Sequence, residues 1–459
     1  MQGFAQLCPA CSLPPYASQM IYSTGSRYSW THSALTLVAV PLLLAACDAS
    51  APTNSMSPAA LEPVHSSASS NAALLVVAGG RIFEDKDLSL KQNQSCASCH
   101  DMEFGFTSPN TLVNATGAVM FGSVVSRFGS RKPPSAAYAT QSPVLHYDAE
   151  DDTFVGGNFW DGRATGARLG SPSAEQAEGP FVNPVEQALP DIACVVYRVS
   201  RASYANIYTN AYDKRINSIV WPANTDALCR TEGSTVPITP AARAIVGLEI
   251  DRIGLAIAAF EASPRVNAFS SKHDQVLAGK AKFTHQEEAG RQLYEGKAAC
   301  AACHPNVGEG ALMTDYTFDN IGVPSNPYNP ARLQNSAFRD LGLGGAFALP
   351  ERWGAQKVPT LRNIDRRPGN AEKSYMHNGV FKSLEQVVHF YNTRDVLPNC
   401  VSLPHPAFGV NCWPAPEVAE NVNVDELGNL GLTPAQEAAL VAYLRTLSDG
   451  YGKGNSGGH

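Results

Sequence analysis

The pentapeptide Cys-x-x-Cys-His occurs twice, as Cys96-Ala97-Ser98-Cys99-His100 and as Cys300-Ala301-Ala302-Cys303-His304, 204 residues apart. In this arrangement each thiol can add to a haem vinyl group, and the adjoining imidazole falls where it ligates the iron. One copy could be a zinc half-site or a redox dithiol. Two copies, each with its own histidine, read as two covalent c-type haems, held by Cys96, Cys99 and His100 and by Cys300, Cys303 and His304. The motif fixes the cofactor. The second ligand of each iron decides what the haems do.

The 459 residues are enough for two or three domains after processing. With 44% hydrophobic and 16% charged residues and a net charge of −7, the composition is that of a soluble globular protein, and no basic stripe points to nucleic acid. Residues 34–46 form an apolar run of signal-peptide length, too short to span a bilayer comfortably. The run ends in Leu44-Ala45-Ala46-Cys47, similar to a bacterial lipobox. Residues 1–47 are therefore read as a signal peptide with a lipobox, and Cys47 as a lipid anchor, the one membrane contact expected. Residues 48–71, rich in Ser, Ala and Pro, read as a flexible tether, and residues 450–459 as a flexible tail. This points to the periplasm or cell envelope. In that oxidising compartment Cys194, Cys229, Cys400 and Cys412 could form two disulfides, most simply 194–229 and 400–412, or remain buried thiols.

The mature chain contains an internal repeat. Gly80-Arg81-Ile82-Phe83-Glu84 precedes the first haem motif and Gly290-Arg291-Gln292-Leu293-Tyr294-Glu295 the second. Thr284 with Glu287, and Thr433 with Gln436, carry capping-box spacing for two helix starts. Leu440, Val441, Leu444 and Leu447 then give the last helix an apolar face. Long Pro/Gly-rich stretches separate these landmarks. The expected fold is mainly α with much loop: two packed cytochrome c-like haem domains, residues 72–270 and 271–449.

A haem that reacts with peroxide needs an open iron and a nearby group that takes and returns a proton. Phe159-Trp160-Asp161-Gly162-Arg163-Ala164, then Glu175-Gln176-Ala177-Glu178-Gly179-Pro180, then Asn183-Pro184-Val185-Glu186 supply such parts. In this order, and with Gln176 and Glu186 ten residues apart, the chain resembles the bacterial di-haem cytochrome c peroxidase family, in its MauG/MbnH-like branch. The resemblance runs from Gly79 to Leu447. It implies that Glu186 is the distal acid/base over the first haem, with Gln176 beside it, and that Trp160 is the electron bridge between the haems. The chain departs from the family pattern by an insertion around residues 165–171.

The family's ordinary peroxidases carry a blocking histidine between the first haem motif and the FWDGR segment. Residues 122–135 contain none, and His146 lies beyond the matching position, where it reads as structural. The first haem is therefore expected to be five-coordinate. In those relatives a methionine that ligates the second haem lies fourteen residues after the histidine corresponding to His377; here that position is Tyr391. Met376 stands where the family has a non-ligating residue. A thioether favours reduced iron, whereas a phenolate is a hard anionic donor that stabilises high-valent iron. Calcium binding, which the family implies, is open here: Lys132 stands where an Asn ligates it, so the ion could be kept through backbone carbonyls near Glu372 and Ser374 or be replaced by the lysine.

The resemblance implies an H₂O₂-dependent oxidoreductase that reaches a bis-Fe(IV) state and oxidises residues, Trp foremost, on a periplasmic partner protein by long-range electron transfer. The alternatives are a cytochrome c peroxidase reducing H₂O₂ with electrons from a small donor protein, and a di-haem electron carrier without peroxide chemistry. Glu186 and Gln176 disfavour the last.

Overall fold

The computed structural model describes residues 65–308 and 311–452. The signal peptide, Cys47 and most of the tether and tail lie outside these residues. Eight helices position the site: α1 (His65–Glu84), α2 (Cys96–Cys99), α3 (Pro172–Val182), α4 (Ile192–Arg201), α5 (Pro240–Glu261), α6 (His285–Glu295), α7 (Leu384–Thr393) and α8 (Pro434–Arg445). The described strands form two short antiparallel pairs. β1 (His146–Asp148) pairs with β2 (Thr153–Val155), and β3 (Phe318–Asp319) with β4 (Gln356–Lys357). The mainly helical expectation holds.

α1 starts at His65, inside the stretch expected to be tether. Leu75, Ala78 and Ile82 further along this helix pack into the core, which outweighs the Ser content of its first turns. Gly450 and Tyr451 are likewise anchored rather than free, donating their N–H groups to the Oγ (3.0 Å) and O (3.0 Å) of Ser270.

Two groups of buried apolar side chains form the interior. The first joins α1, α3, α4 and α5 through Ile82, Phe83, Phe181, Val195, Ile253 and Phe260. The second joins α6, α7 and α8 through Tyr294, Phe390, Leu440, Tyr443, Leu444 and Leu447. Burying side chains of this size contributes about 1.5–3 kcal/mol each. The sequence repeat corresponds to one packing device used twice. α1 crosses α5 where a Cβ on Gly79 would lie 1.8 Å from the Ala256 carbonyl oxygen, and α6 crosses α8 where one on Gly290 would lie 2.0 Å from that of Ala439. The crossing residue of the first pair is Gly79, one position before the glycine that aligns in sequence, while Gly80 faces the Phe260 ring.

Both capping boxes form at Thr284 and Thr433. The disulfides Cys194–Cys229 and Cys400–Cys412 are both present. A polar seam ties residues of the first core's segment to those of the second. In it Arg131 grips Asp340, Tyr138 donates to Asp449 at 2.7 Å, and Lys357 donates to Ser142 at 2.6 Å.

Candidate active site

Each haem motif folds as one tight turn. Cys96–Cys99 is a helical turn opened by Ser95, whose N–H donates to Ser98 Oγ at 3.0 Å. Cys300–Ala302 is a 3₁₀ turn entered through Ala299 at φ +53°. Such turns bring both sulfurs of a motif to the same side. All four motif cysteines are free, and all four line one cavity of ≈1010 Å³ together with His100 and His304.

The two histidines are held alike. His100 Nδ1 lies 3.0 Å from the Phe106 carbonyl and His304 Nδ1 2.9 Å from the Met313 carbonyl. A carbonyl only accepts, so Nδ1 carries the proton and Nε2 keeps its lone pair, as an iron ligand requires. Burial also pushes both imidazoles below their ordinary pKa, favouring the neutral ligating form. Both accepting residues have left-handed backbone, Phe106 at φ +58° and Met313 at +54°, a strained choice for bulky side chains that turns each carbonyl to its histidine.

The remaining predicted residues line the same cavity: Trp160, Gln176, Glu186 and Tyr391. They divide between the motifs. Burial raises the Cys96 and Cys99 thiols and the nearby Glu186 carboxylate adds to that rise, whereas Tyr391, raised chiefly by burial, lies near Cys300 and Cys303. Gln176 sits on α3, which Ser171 caps with Pro172 at its first position. Glu186 follows on the turn after α3, where Asn183 Nδ2 donates to its Oε1 at 2.9 Å. Burial pushes the Glu186 carboxyl up, and the Arg163 charge and the Asn183 bond offset only part of that rise. Arg163 is fixed above the Phe159 ring, 3.7 Å from its centroid, and bonds Asp161. The insertion around 165–171 folds onto the start of α3, where the Glu175 carboxylate accepts the N–H groups of Gly166, Arg168 and Leu169.

Burial pushes the Tyr391 phenol up as well. A ferric ion facing it would reverse that shift, because a bound cation inverts the local balance. Two methionine sulfurs also lie on residues lining the cavity. Met376 is the one considered from sequence; Met120 was missed, and its sulfur accepts the Ser108 hydroxyl at 3.1 Å. His146 is on exposed β1, away from the cavity.

Trp160 is held from both sides of the polar seam. Its Nε1 donates to the Lys132 carbonyl and its own carbonyl accepts from Lys357 N–H, each at 2.8 Å. The His377 ring lies edge-on, 6.4 Å between centroids. Sequence reasoning missed the ionic lattice below it. Arg131 bonds Asp340 through Nε (2.5 Å) and Nη2 (2.6 Å), and Asp161 through Nη1 (2.5 Å). Burial alone would raise the Asp340 carboxyl, yet Arg131 holds it well below the usual range. Lys132 is buried, its ammonium 3.1 Å from Thr107 Oγ1, and burial lowers it to about 8. Lys373, also buried and pushed well down, donates to the carbonyls of Asn363 and Arg366, both at 2.9 Å.

Three buried donors on cavity-lining residues, Gln187 Nε2, Gln356 Nε2 and Tyr316 Oη, have no hydrogen-bond partner among the described residues, while the unpaired Gln94, Gln187 and Gln356 Oε1 atoms can only accept and His377 Nε2 lies 3.4 Å from the Glu417 carboxylate. Buried polar groups are rarely left unpaired, and haem propionates are suitable acceptors for the donors among them.

A helical chain with two Cys-x-x-Cys-His turns on one cavity, each histidine oriented through Nδ1, is a di-haem c-type protein. Residues 75–282 match the family described as di-haem cytochrome c peroxidase. The methylamine utilization protein MauG of Paracoccus denitrificans (strain Pd 1222) is 33% identical over 386 residues, covering 82% of this chain and 88% of that protein. A variant of the diheme peroxidase BthA from Burkholderia thailandensis E264 superposes with TM-score 0.65 at 28% identity, covering 82% of this chain and 86% of that one. A MauG-like protein associated with microbial copper homeostasis superposes with TM-score 0.55 at 25% identity, covering 82% and 89%. The chain belongs to the di-haem cytochrome c peroxidase family and is a peroxidase-type oxidoreductase with two haem c groups.

Proposed function

We propose that this protein uses H₂O₂ to oxidise side chains, Trp foremost, of a partner protein outside the cytoplasm. The observation that carries the reading is the asymmetry of the cavity: a buried carboxyl, Glu186, beside the first Cys pair and a buried phenol, Tyr391, beside the second. Haems held by Cys96, Cys99 and His100 and by Cys300, Cys303 and His304 would supply peroxide cleavage and storage of two oxidising equivalents. The chain's own residues divide the remaining work. Glu186 takes the peroxide proton and returns it to the departing oxygen, and Gln176 orients the bound peroxide. His100 and His304 hold the irons, Tyr391 closes the second, and Trp160 couples the two sites.

Among the described residues the histidines that line the cavity are His100, His304 and His377, and His377 lies against Trp160, which supports an open first iron. We read Lys132 as replacing the calcium that the family implies, and the Glu372 carbonyl, near which the ion could have been kept, accepts instead from Asn114 Nδ2 at 3.0 Å. Both disulfides support an exported protein. No helix among the described residues is long and apolar enough to cross a membrane.

The test is to mix resting ferric holoenzyme with H₂O₂ and candidate partner proteins, then map oxidised Trp by mass spectrometry. Oxidation without prior reduction supports the reading. A reaction that starts only after one-electron reduction by a small donor protein supports the cytochrome c peroxidase alternative instead.

A further inference from the structure

Behind Tyr391 an unbroken line of aromatic rings leaves the cavity. Tyr391 and Phe390 meet edge to face at 6.3 Å between centroids, Phe390 and Trp413 at 5.3 Å, and Trp413 and Phe408 at 5.3 Å. Phe381 braces the group, 4.9 Å from Phe390 and 5.7 Å from Trp413. Trp413 is 3% exposed and Phe408, on the loop closed by Cys400–Cys412, is 36% exposed. Beyond Tyr391, the indole is the one readily oxidised ring of this line, since phenylalanine loses an electron only at far higher potential.

The surroundings of Trp413 suit a one-electron oxidation in which the proton stays. Its Nε1 donates to Thr393 Oγ1 at 3.1 Å, and that hydroxyl donates to the His389 carbonyl at 2.6 Å, so neither neighbour is a base. The His389 ring, 5.9 Å from the indole, is engaged through Nδ1 with Glu437 at 3.0 Å, which brings a carboxylate near the positive charge that would form. A second aromatic line runs from Tyr294 to Tyr443 (5.1 Å) and on to the partly exposed Phe283 (5.8 Å), but it carries no indole, and Tyr443 is tied to His273 at 3.2 Å.

We propose that Trp413 is a redox relay between the Tyr391 side of the cavity and the surface at the Cys400–Cys412 loop. The inference rests on the peroxide reading above. One electron leaves the indole toward the site at Tyr391, where the peroxide-oxidised holoenzyme accepts it, and a protonated indole radical cation remains. An oxidisable aromatic side chain of the protein substrate returns the electron. When no such donor is present, loss of a second electron and addition of water leave Trp413 with one added oxygen atom. The balance is Trp413 plus H₂O₂ giving oxygenated Trp413 plus water.

The experiment treats ferric holoenzyme with H₂O₂ and no donor, followed by freeze-quench electron paramagnetic resonance and peptide mass spectrometry. An indole radical and oxygen on Trp413 are expected, with the radical lost in Trp413→Phe while the ferric haem spectra stay unchanged. Thr393→Val keeps the indole but removes its acceptor, so the radical should persist with altered Nε1 proton coupling. If peroxide oxidises both haems but the radical survives Trp413→Phe, or Trp413 gains no oxygen, the relay is overturned and the proposed function stands. A tyrosyl signal lost in Tyr443→Phe also overturns it, assigning the charge to the other line. If peroxide leaves the ferric haems unchanged, both readings fail.

Discussion

Replacing Glu186 with glutamine removes a proton acceptor while preserving the shape of the site, because a glutamine Oε1 can still accept from Asn183 Nδ2 as the carboxylate does at 2.9 Å. General acid–base catalysis contributes roughly 10²–10⁴-fold. At about 1.36 kcal/mol per tenfold, the variant should lose about 2.7–5.4 kcal/mol of transition-state stabilisation for the reaction with peroxide. Stopped-flow absorbance of the haem bands measures this rate. The pH dependence sharpens the test. A protonated carboxyl cannot take the peroxide proton, so the wild-type rate should rise with pH through a single ionisation. Burial places that ionisation above the ordinary carboxylate value of about 4.3. Arg163 opposes the shift, so Arg163→Met should move the step further up and Glu186→Gln should abolish it. A Glu186→Gln rate within about threefold of wild type, below the least general acid–base contribution, would refute the assignment.

Four further outcomes are expected. Tyr391→Met should raise the potential of the second haem, seen by spectroelectrochemistry, and introduce a methionine–iron charge-transfer band that the wild type lacks; such a band in the wild type would instead implicate Met376 or Met120. Replacing Cys194 and Cys229 by serine opens a loop of 35 residues and should cost about 4 kcal/mol in guanidinium unfolding, against about 3 kcal/mol for the 12-residue Cys400–Cys412 loop. Gly290→Ala would put a Cβ 2.0 Å from the Ala439 oxygen and force α6 from α8, destabilising by about 1–3 kcal/mol or more. Elemental analysis of purified holoenzyme should find two irons per chain and no stoichiometric calcium, because Lys132 stands where relatives have an Asn ligand and the Glu372 carbonyl accepts from Asn114 Nδ2 at 3.0 Å.

Features written locally in the chain could be read from it. The haem turns, the caps at Thr284 and Thr433 and the apolar face of α8 depend on residues a few positions apart, and each formed where expected. Features that join distant segments could not. Arg131 and Asp340 lie 209 residues apart, and nothing near either one signals the pairing. The carbonyls that orient His100 and His304 come from Phe106 and Met313, whose left-handed backbone is imposed by the fold against their own preference. The Gly79 crossing differed by one residue from the sequence alignment because close approach is set by helix phase, whereas the match was set by residue identity. At the site, the family resemblance already implied the division of Glu186 and Tyr391 between the two Cys pairs, whereas the ionic lattice of Arg131, Asp161 and Asp340 beside Trp160 emerged only from packing.

That division is the central claim, and Mössbauer spectroscopy of iron-57-labelled diferric holoenzyme mixed with H₂O₂ tests it most directly. Two Fe(IV) signals appearing together, with no reductant added and neither site methionine-ligated, are the predicted result. A ferric spectrum that changes only after one-electron reduction would contradict it.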